Sequence, residues 1–353
     1  MYKNKISAVV FLVLLIIVVL ATYSFYLGPV SKNSDTKPIE VVNGSSYLTI
    51  DPLLKKNNLI KSTFFYKLYI KLSNPQPLKA GIYYLSEDMG TKEIVNVLSS
   101  GNAIDPATIT ITFKEGLNMR GVAKVIAANT NNTEKSVYKI LKDKKYLNQL
   151  IEKYWFLTDD IKNEKVYYPL EGYLFPNTYE FYSKDVSVKE IFEVMLDEMD
   201  KQFKPFKNAV ENSKYEIHEI ITLASMIELE ASNDSDRRDV SGVFYNRLEV
   251  GMTLGSDVTG YYGAKMDDWT NGLGVHIYDC NGYNTRGDCV SGIPVGPIAN
   301  PGIESIRAAV KPINHQYYYF VADCSGKIYL NSNEFEHNQT INRLRREGKW
   351  CDV

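Results

Sequence analysis

Ile221-Thr222-Leu223-Ala224-Ser225-Met226-Ile227-Glu228-Leu229-Glu230 is a run of apolar and small residues that ends in two carboxylates. Apolar side chains at 220, 223, 224, 227 and 231 recur with the i, i+3, i+4, i+7 spacing of one helix face, so the segment is predicted to be a core helix. At about 100° per residue, Glu228 and Glu230 fall on opposite flanks of that face and do not make a paired dyad. One turn back, Glu230 has Ile227 and Met226 beside it, whereas Glu228 has Ser225 and Ala224. The more apolar neighbourhood raises a carboxyl pKa toward neutrality, which is what a general acid working near neutral pH requires. Geometry therefore favours Glu230 as the acid. Two capped or ion-paired helix-end carboxylates are the plain structural alternative.

Outward from this helix, the predicted neighbours are a helix from Val188 to Phe203 and another from Asp236 to Leu248. Tyr168-Pro169-Leu170-Glu171-Gly172-Tyr173-Leu174-Phe175-Pro176-Asn177-Thr178-Tyr179 brackets an aromatic turn between two prolines. Tyr173, Phe175 and Tyr179 there are either sugar-stacking platforms or core aromatics. Ser291 to Gly302 is too rich in glycine and proline for any regular element. A helix from Ile303 to Val310 follows, and Tyr317 to Ala322 reads as a buried strand. Nearer the N-terminus, short helices are predicted at Leu53 to Asn57, Phe64 to Leu72 and Thr91 to Leu98, with a strand at Gly81 to Leu85. A strand from Ala107 to Phe113 and a helix from Met119 to Ala128 make a further unit. The charged, aromatic stretch from Lys144 to Glu164 is expected to link two domains.

Ile6 to Leu27 supplies the about 20 uncharged residues that a bilayer crossing needs, with Lys3 and Lys5 just before it. No small-x-small cleavage site ends the run, so the expectation is an uncleaved anchor with its N-terminus inside. Residues 1–5 are then a cytoplasmic tip, 6–27 the transmembrane helix and 28–44 a linker, and everything beyond lies outside the cytoplasm. Nucleotide cofactors are not expected there, and no cofactor is called for. The net charge of −2 offers no footprint for nucleic acid. Cys280, Cys289, Cys324 and Cys351 include no C-x-x-C pair, and an even count in an oxidising compartment favours disulfides. The expected pairing is Cys280 with Cys289 and Cys324 with Cys351, the other two connectivities and free thiols remaining open. His218, His276, His315 and His337 show no ligand spacing, so no metal site is expected. His337 is read as a structural hydrogen-bonding partner of Glu336, and Ser225, without a nucleophile-elbow glycine frame, as a packing residue.

Several local sequences resemble the blocks of one family, the YceG-like endolytic murein transglycosylases. They are Leu170 to Pro176, Ala224 to Glu230, Val243-Phe244-Tyr245-Asn246-Arg247-Leu248, Gly251-Met252 through Leu254, and Ser256-Asp257 with Thr259. Tyr283-Asn284-Thr285, Gly296-Pro297-Ile298 with Asn300-Pro301-Gly302, and Tyr319 to Ala322 continue the series in the family's order, and together they cover nearly the whole chain. The resemblance implies an α+β protein with a LysM-like α/β module at 45–150 and a larger YceG-like catalytic domain at 151–353. It implies that the second glutamate of the helix end, Glu230, is the catalytic acid and Glu228 a supporting residue. The chain departs from the pattern at Asn177, Val258, Val295 and Ile328, and a short insertion between Thr285 and Gly292 contains Cys289.

The implied reaction cleaves the β-1,4 bond between N-acetylmuramic acid and N-acetylglucosamine without water as nucleophile. Glu230 protonates the leaving oxygen, then takes the proton of the muramyl 6-hydroxyl as it closes on C1. An oxocarbenium-like transition state needs polar groups aimed at the ring. The candidates are Asn246, Ser256, Asp257, Thr259, Tyr262, Tyr283 and Asn284, with Glu171 as a wall contact or a turn hydrogen bond. The implied partners are peptidoglycan glycan strands and the cell-wall synthesis machinery, such as penicillin-binding proteins. A membrane-tethered wall-binding scaffold and a hydrolytic muramidase are the rival readings.

Overall fold

The computed structural model describes residues 2–42, 44–79, 81–100, 109–181, 184–270 and 272–351, and within the first helix it describes side chains at position 11 and from position 13 onward. The chain divides into two compact units, Met1–Thr108 and Ile109–Val353.

In the first unit, helix α1 (Tyr2–Leu27) is followed by strand β1 (Thr36–Val41), helices α2 (Asp51–Lys56) and α3 (Thr63–Ser73), strand β2 (Gly81–Ser86) and helix α4 (Thr91–Ser99). Among the described residues, no helix is long and apolar enough to cross a membrane. The expected span from Ile6 to Leu27 includes positions 6–10 and 12, whose side chains lie outside the described residues. β1 falls within the segment expected to be a linker. It pairs antiparallel with β2, from Thr36 opposite Ser86 to Val41 opposite Gly81. Its polar sequence hides it, because only Ile39 and Val41 are buried and Pro38 sits where an edge strand tolerates the loss of an N–H. Ile39, Leu54, Tyr66, Leu85, Ile94 and Leu98 are among the side chains that fill this unit's own core.

The second unit runs β3 (Ile109–Thr112), α5 (Met119–Asn129), α6 (Glu134–Leu141), α7 (Lys144–Lys153), β4 (Thr178–Phe181), α8 (Val188–Phe203), α9 (Lys207–Glu211), α10 (Ile217–Glu230), α11 (Asp234–Glu249), α12 (Asp257–Gly263), α13 (Ile303–Val310), β5 (Tyr319–Ala322), β6 (Ile328–Asn331) and α14 (Glu334–Arg346). The boundary between the two compact units lies at 108/109. β3 pairs with β4 nearly seventy positions later, Ile111 opposite Tyr179, and the buried faces of α5, α6 and α7 join the core of this unit. The expected linker from Lys144 onward opens with α7, whose Tyr146, Leu147 and Leu150 are buried. The first two residues of the strand expected at 107–113 lie outside the described residues.

α10 is the central element. From Ile217 through Ile227 every residue is buried except the half-buried Glu219, so the helix is enclosed on nearly every side rather than along one stripe. It packs against α11, α12 and α13. Its start is set by a capping box in which the Glu219 carboxylate accepts the Glu216 N–H at 2.9 Å. Truncating a fully buried leucine such as Leu223 to alanine in such a core costs about 2–5 kcal/mol. Ser225 is a packing residue: its hydroxyl donates to the Thr222 carbonyl at 2.7 Å and accepts the Ile298 N–H at 3.0 Å.

The turn at 170–176 is locked onto the glycine-proline segment. Gly172 adopts φ +85°, and a Cβ there would meet Pro297 at 2.4 Å. Asn300 joins the same assembly by accepting the Leu174 N–H and donating to the Leu117 carbonyl. Tyr173, Phe175 and Tyr179 are core aromatics. The Tyr173 hydroxyl bonds His218 Nδ1 at 2.8 Å, and Tyr179 donates to the Phe175 carbonyl. The strand expected at 317–322 is shorter and only partly buried, since β5 pairs with β6 alone and Val321 is its one fully buried side chain. The disulfides are Cys280–Cys289 and Cys324–Cys351, as expected from their spacing.

Candidate active site

α10 ends where Ala231 turns to extended backbone, and this leaves Glu228 and Glu230 on opposite sides of the last turn. The Glu228 carboxylate is occupied by structure. Oε1 accepts from Arg237 Nη2 at 3.1 Å, and Oε2 accepts from the Gly302 N–H at 2.9 Å and the Ser305 hydroxyl at 2.7 Å. Gly302 and Ser305 form the start of α13, where backbone N–H groups favour an anion. Glu228 therefore staples α10 to α11 and α13.

Glu230 has a different setting. It is half-buried, and its Oε1 accepts the Ser256 hydroxyl at 2.5 Å. Burial pushes its pKa up to about 7, with the negative charge of Asp257 adding to the rise. The Ser256 hydrogen bond and the cations Arg286 and Arg247 pull the other way. A carboxyl poised there holds a proton or releases it with little cost near neutral pH, the property of a group that serves as acid and then as base.

Ser256 is held from behind. It follows Gly255, whose φ of +58° turns the chain into α12. The Ser256 N–H donates to Thr285 Oγ1 at 2.9 Å, and the Ser256 carbonyl accepts from Thr259 Oγ1 at 2.6 Å. Thr259 and Thr285 share a hydroxyl–hydroxyl bond of 2.9 Å, and both are fully buried. The next residue, Asp257, forms an ion pair with Arg286 that leaves both side chains substantially exposed. Asn284 is buried and closes its own loop, donating to the Ile277 and Asp279 carbonyls at 3.1 and 2.9 Å.

The far half of α12 carries a second cluster. Tyr262 donates to Glu171 Oε2 at 2.8 Å, and the same oxygen accepts the Met119 N–H at 2.9 Å. Among the described residues, no hydrogen-bond partner reaches the buried Glu171 Oε1. Burial raises the Glu171 pKa to about 7, opposed by these two hydrogen bonds and by Arg120. Tyr262 packs edge-on against Tyr283, whose hydroxyl accepts the Tyr167 N–H at 2.9 Å. Glu171, Tyr262 and Tyr283 are thus brought together, and α12 connects them to the Ser256 end.

Asn246 stands apart from both clusters. Its Nδ2 lies within hydrogen-bond distance of the His315 and Tyr317 carbonyls, at 2.8 and 2.9 Å, and so braces the chain entering β5. His337 does not bond Glu336, whose carboxylate instead accepts the Ser332 N–H at 3.0 Å. The His337 ring lies 5.3 Å from that of Tyr319. Sequence reasoning did not single out Arg247, Thr285 or Arg286. Arg247 donates to the Tyr318 and Leu254 carbonyls and covers the Tyr319 ring. Arg247 and Thr285 stand beside the candidates Asn246 and Asn284 within blocks that carry the resemblance, whereas Arg286 lies just past its block and had no signal of its own.

The mixed α+β unit thus presents, at the end of a buried helix, a near-neutral carboxyl backed by a serine and flanked by an ion pair. The YceG-like family model matches residues 39–343. The chain is 35% identical to the endolytic murein transglycosylase of Bacillus subtilis, over 89% of this chain and 86% of that protein. It is 28% identical to the endolytic murein transglycosylase of Streptococcus pneumoniae, over 95% of this chain and 64% of that protein. Its structure is similar to the crystal structure of a YceG-like protein from Listeria monocytogenes, with a TM-score of 0.62 and 31% identity, covering 88% of this chain and all of that one. The chain belongs to the YceG-like family.

Proposed function

We propose that this protein is an endolytic lytic transglycosylase that cleaves the N-acetylmuramic acid to N-acetylglucosamine β-1,4 bond of peptidoglycan and leaves 1,6-anhydromuramic ends. The observation that carries the reading is the contrast within one helix end. Glu230 is near-neutral and bonded to a single serine hydroxyl, whereas Glu228 is tied to Arg237, Gly302 and Ser305. Hydrolytic glycosidases typically use two carboxyls that flank the bond. A transglycosylase needs one, because the substrate's own 6-hydroxyl is the nucleophile.

In this mechanism Glu230 gives its proton to the leaving glycosidic oxygen, then as carboxylate removes the proton of the 6-hydroxyl while that oxygen bonds C1. Ser256 holds the carboxyl in place through both steps. Asp257 keeps the proton on Glu230 before reaction, and Arg286 and Arg247 favour the carboxylate after it. The names of the Bacillus and Streptococcus relatives support this reading of the substrate.

The protein acts from the outer face of the cytoplasmic membrane. The apolar run from Ile6 to Leu27 serves as its single-pass anchor, in keeping with exposed Val13, Leu14, Ile16 and Leu20 along α1. The first unit beyond α1, with its strand–helix–helix–strand–helix order, is read as the LysM-like module. Cleavage of nascent strands here sets their length beside the synthesis machinery, penicillin-binding proteins included.

Digestion of uncrosslinked glycan in water enriched in oxygen-18 tests the reaction class. Anhydro ends without label are expected. Reducing ends that carry one labelled oxygen would make the protein a hydrolase, and intact glycan would make it a binding scaffold.

A further inference from the structure

The Cys280–Cys289 disulfide closes a loop whose successive residues Thr285 and Arg286 bond the segment that holds Glu230. The attachment is dense. Thr285 accepts the Ser256 N–H through Oγ1 at 2.9 Å, donates its own N–H to Thr259 Oγ1 at 3.0 Å, and accepts the Gly255 N–H through its carbonyl at 3.2 Å. Arg286 pairs with Asp257. Asn284 ties the loop crown to its stem at Ile277 and Asp279, next to Cys280. Residues 255–257 are thereby fixed at consecutive positions, and the middle one donates to Glu230 at 2.5 Å. The disulfide sets the distance between the loop's stems, with the two Cα atoms 5.4 Å apart.

We propose that Thr285, carried on the loop that the Cys280–Cys289 disulfide closes, is a positioning residue for Glu230 and acts through Ser256. The inference rests on Glu230 being the acid. Without the Thr285 hydroxyl, the Ser256 N–H loses its acceptor in a buried setting and the serine is free to turn from the carboxylate. Opening the disulfide relaxes the same contact from further back. The charged groups around Glu230 are Asp257, Arg286 and Arg247, with His337 beyond the two arginines. None of them is removed by these changes, and Thr285→Val leaves the disulfide-closed loop that carries Arg286 intact, so a change in the titration of Glu230 in that variant reports on the Ser256 contact.

The test compares release of anhydromuropeptides by wild type, Thr285→Val, Thr285→Ser, the Cys280→Ser/Cys289→Ser pair and the Cys324→Ser/Cys351→Ser pair, across pH, with Glu230→Gln alongside. Thr285→Val and the Cys280/Cys289 pair are expected to lower kcat by about tenfold to a hundredfold, the cost of a small misplacement. KM is expected to stay within about twofold. The alkaline limb of the kcat profile is expected to move to higher pH, because a carboxylate that loses a donor holds its proton longer. Thr285→Ser keeps the hydroxyl and restores both, and the Cys324/Cys351 pair behaves as wild type. Wild-type kcat and limb in Thr285→Val, or a lower kcat with an unmoved limb that follows a lower melting temperature, overturns the inference. If those results accompany an inactive Glu230→Gln, the inference fails alone; full activity in Glu230→Gln overturns the reading of Glu230 and the inference with it.

Discussion

Ser256 Oγ donates to Glu230 Oε1 at 2.5 Å across 26 positions of sequence. The bond favours the ionised carboxyl, so it opposes the rise that burial imposes. Ser256→Ala removes the donor. A hydrogen bond to a charged group contributes about 1.5–3 kcal/mol, which corresponds to an alkaline limb displaced upward by about one to two pH units. A pH–rate profile checks this: the same limb in Ser256→Ala as in wild type contradicts it.

Glu171 makes stability depend on pH. Its folded pKa of about 7 lies above the ordinary value of 4.5, so its contribution is fully present below about pH 4.5 and is lost as pH rises through about 7. For a side chain this buried the loss is on the order of 3 kcal/mol. Urea unfolding at pH 5 and pH 8 is expected to show wild type weaker at pH 8, and Glu171→Gln is expected to reduce that difference, the rest coming from Glu230, whose pKa is also raised to about 7. An equal pH dependence in the two proteins contradicts the assignment.

Glu228 belongs to the scaffold. Its side chain and that of Arg237 are largely buried, and removing one partner of such a pair costs about 3–5 kcal/mol. Glu228→Ala should therefore unfold at markedly lower denaturant, while the activity of the fraction that remains folded stays close to wild type. Near-wild-type stability with loss of turnover would instead place Glu228 in the chemistry.

The helix that bears both glutamates was legible because its apolar spacing is local. The bounds of α8 and α13 coincide with the sequence reading for the same reason. Which glutamate is free was only partly legible. Neighbours one turn back favoured Glu230, but two of the three groups that occupy Glu228, Gly302 and Ser305, lie more than seventy positions away. β1 and β4 escaped notice because short, half-polar edge strands are defined by their partners, Gly81–Ser86 and Ile109–Thr112, and not by their own pattern. The roles of Thr259 and Thr285 were invisible for a similar reason. A buried hydroxyl pair looks in sequence like any two threonines.

The central claim is that one carboxyl performs both proton transfers, and mass spectrometry of the products from nascent, uncrosslinked glycan tests it most directly. General acid–base catalysis contributes about a hundredfold to ten-thousandfold in rate, so folded Glu230→Gln should release almost no anhydromuropeptides while wild type releases them readily. Release by Glu230→Gln at the wild-type rate would contradict the account.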